Sequence, residues 1–186
     1  MTARLADQAW QVYRSADCVH DAAAIEAALD RLAAEVTRDL GQANPLVLCP
    51  MTGGVMLAAG LLLRLEFPLE FDYLQVGRYR ETLAGGALRW RIEPEKALRG
   101  RSVLVVDDIL DRGVTLAAVR EYCHAAGAAQ VRTLVLVDKL CAREADIAAA
   151  DYTGLRVPDR YVFGYGMDWH GYLRNLNGIY AVAEDD

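Results

Sequence analysis

Val103-Leu104-Val105-Val106-Asp107-Asp108-Ile109-Leu110-Asp111-Arg112-Gly113-Val114-Thr115 places an apolar run directly ahead of three acids and a glycine. Four consecutive Val and Leu residues predict a strand buried on both faces, the pattern of a central strand in a parallel sheet. A polar loop follows, then a helix predicted from about Thr115 to Ala126 and closed by Gly127. Ligands of open parallel sheets bind beyond the carboxyl ends of the strands, so this loop lies on the binding edge. Gly113 and Thr115 at a helix start expose backbone N–H groups and the positive end of the dipole, a cradle for a phosphate monoester. Three acids within five residues would repel that anion unless they have another task. Asp107 and Asp108 suit a vicinal diol such as the ribose 2′- and 3′-hydroxyls, with Mg²⁺ offsetting their charge. The plainer alternative is that Asp107-Asp108 ends a strand and Asp111-Arg112-Gly113 caps a helix.

Working outward, Pro45-Leu-Val-Leu-Cys49 reads as a second buried strand entering the glycine turn Met51-Thr52-Gly53-Gly54. A helix over 55–65 and a strand near 69–76 complete a β-α-β unit, which requires a parallel sheet. Ahead of it, Ile25, Leu29, Leu32, Val36 and Leu40 recur at helical spacing, with Asp21 as N-cap and Gly41 as the C′ residue. Gly77 to Leu98 breaks the pattern: Gly85-Gly86 and the alternating Leu88-Arg-Trp-Arg-Ile92 predict a hairpin-like excursion. Val131 to Val137 is the next central strand. Short strands around 152–157, 161–163 and 179–182 are read together as a small cap.

The 186 residues suit one α/β domain, since domains most often hold roughly 100 to 150 residues and α/β examples run longer. A hydrophobic share of 54% against 25% charged residues is that of a globular chain with a real core. The net charge of −6 and the lack of a Lys/Arg cluster argue against nucleic acid as a partner. Cys18, Cys49, Cys123 and Cys141 form no C-x-x-C pair or zinc-ligand spacing, which fits a reducing cytosol. The longest apolar run, Val55 to Leu63, is far short of the roughly 20 residues of a membrane span, so neither membrane insertion nor secretion is expected. The localisation expected is cytoplasmic. His20, His124 and His170 read as surface or partly buried polar residues, and Trp10, Trp90 and Trp169 as packing anchors, with Trp169 a candidate for the wall of a base pocket.

The 103–115 segment resembles the phosphoribosyl-pyrophosphate motif of type I phosphoribosyltransferases. Val157-Pro-Asp-Arg-Tyr161-Val162-Phe-Gly-Tyr-Gly-Met-Asp168, with Arg174-Asn-Leu176, narrows the resemblance to the hypoxanthine-guanine phosphoribosyltransferases, over about Pro45 to Val182. That family implies a mostly parallel twisted sheet flanked by helices, a flexible hairpin loop over 77–98 and a hood. Residues 45–140 would form the core, with 1–44 and 141–186 contributing to the hood. It implies a Mg²⁺-dependent purine-salvage enzyme that joins hypoxanthine or guanine to phosphoribosyl pyrophosphate. A homodimer or homotetramer is the expected assembly. Regulatory sensing of phosphoribosyl pyrophosphate by the same fold, and a preference for xanthine, are the alternatives.

The resemblance also assigns residues. Gly113, Val114 and Thr115, with Arg112, would hold the 5-phosphate, Asp107 and Asp108 the ribose, and Asp111 would be the acid/base group at purine N7. Lys139 would donate to the purine O6, and its lack of an acceptor would reject the 6-amino group of adenine. Tyr161 would stack on the base, and the Val162 backbone would meet its other edge. Asp168, together with Asp107 and Asp108, would hold Mg²⁺, while Arg174, Thr52 and Gly53 would hold pyrophosphate. Met51 to Gly54 matches a loop that carries a non-prolyl cis peptide in family members. On spacing alone a plain strand-to-helix turn serves equally well. Arg78-Tyr79 fall where the family has a closing pair in a mobile loop; an ordinary exposed hairpin is the alternative. Thr52 and Arg112 depart from commoner residues of the family, and Arg112 either reaches the 5-phosphate or points to solvent.

Overall fold

The structure, a computed structural model, describes residues 2–78 and 88–183. In chain order the elements are α1 (Thr2–Ser15), β1 (Asp17–His20), α2 (Ala22–Leu40), β2 (Leu46–Pro50), α3 (Val55–Leu62), β3 (Glu70–Arg78) and β4 (Leu88–Ile92). They continue with β5 (Ser102–Leu110), α4 (Val114–Ala125), β6 (Gln130–Lys139), β7 (Tyr152–Val157), β8 (Val162–Phe163) and β9 (Ile179–Ala181). Six strands form one sheet in the order β4-β3-β2-β5-β6-β7, parallel except for β4 against β3. A separate antiparallel sheet, β1-β9-β8, forms the hood.

The run at 103–106 is fully buried because layers cover it on both sides. Leu104 and Val106 pack with α2 and α3 on one face. Val103 and Val105 pack with α4 on the other. The helices after adjacent strands β2 and β5 thus leave to opposite faces, and the strand order reverses between them. That reversal opens a crevice above the carboxyl ends of β2 and β5, where a ligand fits.

Helix termini follow the residues present. Asp21 accepts from the Ala24 N–H at 2.9 Å and caps α2. Gly127, at φ 85°, closes α4 in a Schellman arrangement, with Gly127 N–H on the His124 carbonyl and Ala128 N–H on that of Cys123. Gly41 does not follow the expectation for a C′ glycine. It is the C-cap of α2, at φ −59°, so its glycine freedom is unused there.

Three other expectations change. β5 runs on through Asp107 and Asp108 to Leu110, because its pairing with β6 continues to Leu110 opposite Asp138; the acids stand on the strand rather than in a loop. Residues 152–157 belong to the main sheet, not the cap: β7 lies parallel to β6, and its alternating buried positions meet α2. Trp10 is no packing anchor, since it is 57% exposed. Trp90 does anchor, packed against the core with its ring tilted on Tyr122 at 4.4 Å between centroids. The thiol of Cys49, in β2, is pushed up to about 12 by burial and by the nearby Asp107 and Asp108, so it stays protonated and inert. Antiparallel pairing of β3 and β4 agrees with a hairpin over 77–98, whereas Gly85-Gly86 and Tyr79 lie outside the described residues. Among those residues no helix is long and apolar enough to cross a membrane.

The cap on α2 carries a direct expectation. Asp21→Ala should cost about 1 kcal/mol of stability in urea denaturation, with Asp21→Asn restoring most of it, because only the cap acceptor is lost.

Candidate active site

Two cavities meet above the carboxyl ends of β2, β5 and β6. The larger, about 400 Å³, lies between the 107–116 segment on one side and Pro50 to Gly53 with Arg174 on the other. Its floor is the start of α4. Gly113 is the N-cap there, at φ 84°, a conformation that favours glycine, and a Cβ would fall 2.6 Å from Ile147 Cγ2. Unlike α2, α4 has no side chain capping its N-terminus. Its first N–H groups and its dipole are left for an anion inside the cavity.

Asp107 and Asp108 stand in the wall of this cavity and are 7% and 8% exposed. Burial pushes the Asp107 carboxyl well above the usual carboxylate range, and the charge of Asp108 adds to the effect. Burial also raises Asp108, against the opposing pull of its hydrogen bonds and of Arg174. Asp108 is roofed by the β2 turn: a Cβ on Gly53 would lie 2.1 Å from Asp108 Oδ2, so only glycine passes there. The Met51–Thr52 peptide is cis.

The smaller cavity, about 210 Å³, shares Asp108, Ile109 and Asp111 with the larger one and adds Lys139, Tyr161, Val162, Met167 and Asp168. Lys139, mostly buried, holds its Nζ 3.4 Å from Asp111 Oδ1. Tyr161 is 52% exposed, with a ring face open to a flat ligand, and its hydroxyl donates to the Asp168 carbonyl at 3.0 Å. The Asp168 carboxylate is held on one side by Arg174 and on the other by the Gly171 N–H at 2.6 Å. The hood is pressed onto the turn after β2: Gly166, at φ 103°, sits where a Cβ would be 2.2 Å from the Gly53 carbonyl.

These two cavities bring together Asp107, Asp108, Asp111, Gly113, Val114, Thr115, Thr52, Gly53, Lys139, Tyr161, Val162, Asp168 and Arg174. Arg112 borders the larger cavity, yet its guanidinium turns outward to the Ala142 carbonyl at 3.4 Å and to Glu144. Trp169 does not line the base-sized cavity; it packs edge-on against His170 at 4.6 Å. Arg78 closes β3, and Tyr79 lies outside the described residues. Among the described residues no group of three metal-ligating side chains is gathered. Three residues beside the site were not anticipated: Asp138, Cys141 and Arg143. Cys141 donates to Asp111 Oδ1 at 3.4 Å, and Arg143 pairs with Asp138. Polar residues at the end of a strand are too common to mark such a cluster.

A crevice at the sheet's switch point, with an anion cradle beside a flat aromatic cleft, defines an α/β enzyme that handles a sugar phosphate and a planar ring. Known proteins agree. Residues 15–170 match the phosphoribosyl transferase domain model, and the chain belongs to that family. It is 36% identical to the hypoxanthine-guanine-xanthine phosphoribosyltransferase of Tritrichomonas foetus, over 86% of this chain and 87% of that protein. Identity to the hypoxanthine-guanine phosphoribosyltransferase of Bacillus subtilis is 32%, over 82% and 84%. The crystal structure of a Staphylococcus aureus hypoxanthine phosphoribosyltransferase superposes with a TM-score of 0.85 at 27% identity, covering 92% of this chain and 94% of that one. The fold is that of the type I phosphoribosyltransferases.

The buried acids make stability depend on pH in a defined sense. With their affinity for protons raised above that of an unfolded Asp, about 3.9, the native state holds more protons than the unfolded one above that pH. Their contribution to stability is greatest in acid and is lost as pH rises through the raised native values. Asp107→Asn should therefore raise the melting temperature of the ligand-free protein at pH 7.5, by an amount that shrinks toward pH 4.5. Melting curves with a pH-independent difference would contradict this.

Proposed function

We propose that the chain transfers the 5-phosphoribosyl group of phosphoribosyl pyrophosphate to N9 of hypoxanthine or guanine, releasing pyrophosphate, as a purine-salvage enzyme of the cytosol. The observation that carries this reading is the seam: the phosphate-sized and base-sized cavities share Asp108, Ile109 and Asp111. Ribose C1, which must touch both leaving group and base, belongs at that seam. The 5-phosphate takes the uncapped start of α4 at Gly113 to Thr115, and the ribose diol takes Asp107 and Asp108.

In the transfer, the C1–O bond to pyrophosphate breaks with its electron pair leaving on oxygen, and the N9 lone pair forms the new C1–N bond. The proton carried on N7 passes to the Asp111 carboxylate. Positive charge develops on the ribose, and the neighbouring carboxylates favour it. Arg174, held ready by Asp168 and the Gly166 carbonyl, presents a charged fork to the departing pyrophosphate. Lys139 donates to O6 while Asp111 faces N7; these atoms lie side by side on one purine edge, as do the two side chains. The hood packs onto the turn at Gly53, and that turn roofs Asp108 at the seam.

The acids suit Mg²⁺ that arrives with substrate. Mg²⁺ keeps several waters and takes one or two carboxylates plus phosphate oxygens, and among the described residues no basic side chain pairs with Asp107. Asp107, Asp108 and Asp168 would hold it, and when bound it supplies charge neutralisation at the pyrophosphate. Leu63, Phe71 and Tyr73, exposed on and beside α3 and β3, suit self-association into the dimer or tetramer.

Rates with hypoxanthine, guanine, xanthine and adenine, with and without Mg²⁺, test the reading. Rapid use of 6-oxopurines is expected only with Mg²⁺, and adenine should be slower by about 10²-fold or more, since Lys139 offers no acceptor. Equal use of adenine removes the role given to Lys139. Asp111→Asn should fold normally, bind phosphoribosyl pyrophosphate nearly as wild type, and lose about 10²-fold in kcat.

A further inference from the structure

The pairing of β5 with β6 ends at Leu110 opposite Asp138. It stops one residue short of Asp111 and Lys139, the two side chains that the purine edge needs next to each other. They are not a register pair of the ladder, which ends at the residues before them. Arg143 stands at this gap. Its Nη1 donates to the carbonyls of Leu110 at 3.2 Å, Asp111 at 2.5 Å and Lys139 at 3.0 Å. Its Nη2 pairs with the Asp138 carboxylate. Both side chains are largely out of water, at 16% and 12% exposure, so the charge pair has little solvent competing for it.

We infer that Arg143 is a positioning residue: it bridges the ends of β5 and β6 just beyond their last register pair and so sets the Asp111 to Lys139 spacing. The inference rests on the purine-transfer reading above. Asp111 begins a run of bends that the ladder no longer holds, and Lys139 is the last residue of its strand. A planar guanidinium with five donors reaches two strand ends and a carboxylate at once; an ammonium on a flexible stem keeps the charge but not the bridge. Cys141 adds a weak donor to Asp111 Oδ1 at 3.4 Å, and Arg143 Nη1 lies 3.6 Å from its sulfur. Proton transfer at N7 and recognition of O6 both depend on the spacing, since a displacement of about 1 Å costs up to about 10²-fold in rate. Asp138, by contrast, compensates the charge of Arg143 and lines neither of the two site cavities.

Arg143→Lys separates positioning from folding. It should lower kcat with hypoxanthine by about 10-fold or more, keep the KM for phosphoribosyl pyrophosphate within about 2-fold, and shrink the hypoxanthine-to-adenine rate ratio. Asp138→Asn, which keeps the carbonyl bridge, should lower the melting temperature and leave that ratio unchanged. If Arg143→Lys melts below the assay temperature, the double variant Asp138→Asn with Arg143→Gln, which buries no unpaired charge, carries the same expectation for kcat and base ratio. An active wild type beside a variant with unaltered kcat and base ratio overturns the role of Arg143 alone. A wild type that turns over no 6-oxopurine overturns the purine-transfer reading and this inference with it.

Discussion

Two carboxylates kept out of water, side by side at the end of β5, are the constraint around which the site is arranged. Burial drives Asp107 and Asp108 toward their neutral forms, and the charge of Asp108 makes Asp107 harder still to ionise, while a hydrogen bond with Asp107 works against the rise at Asp108. Such a pair is costly in a resting protein unless a ligand supplies what water no longer does. A diol donates hydrogen bonds to it, and a divalent cation on pyrophosphate lowers its charge. The features around it are consistent with that requirement: a glycine turn roofing Asp108, and a helix start whose donors no side chain takes.

The crevice that holds this pair exists because the strand order reverses between β2 and β5. Helices α3 and α4 leave to opposite faces, each drawn down by its own apolar cluster, and the gap between them cannot be filled by either. Hydrophobic packing therefore creates the binding site without taking part in it. The hood closes the other side. Its glycines at 164 and 166 adopt positive φ and allow backbone contacts, with Gly178 and Gly53 respectively, that a Cβ would forbid. Tyr161 and Asp168 are thereby brought against residues more than fifty positions earlier in the chain.

Elements with strong local signals were readable from the chain alone. The pure Val and Leu run at 103–106, the Asp21 cap with its helical period and the Gly127 stop each depend on interactions within a few residues. Where a reading missed, the deciding interaction was distant. Gly41 was free to be a left-handed cap and is not. The 152–157 strand looked like part of the cap, yet β6 offered it a parallel edge and α2 covered its buried side. The sequence predicts a polar loop after Val106, while pairing with β6 keeps Asp107 and Asp108 on the strand.

The chemistry of the site was thus present in the residues themselves: paired acids, a glycine before a helix, a lysine and a tyrosine with the right groups for a 6-oxopurine. Donor and acceptor identity is a property of the side chain and survives any folding. Tertiary structure decided which of these groups meet. It turned Arg112 away from the phosphate cradle, pairs Asp168 with Arg174, and set Arg143 where the β5 and β6 ladder runs out. Distances between strand ends depend on register, twist and the packing of whole layers, and no local pattern in the chain encodes them.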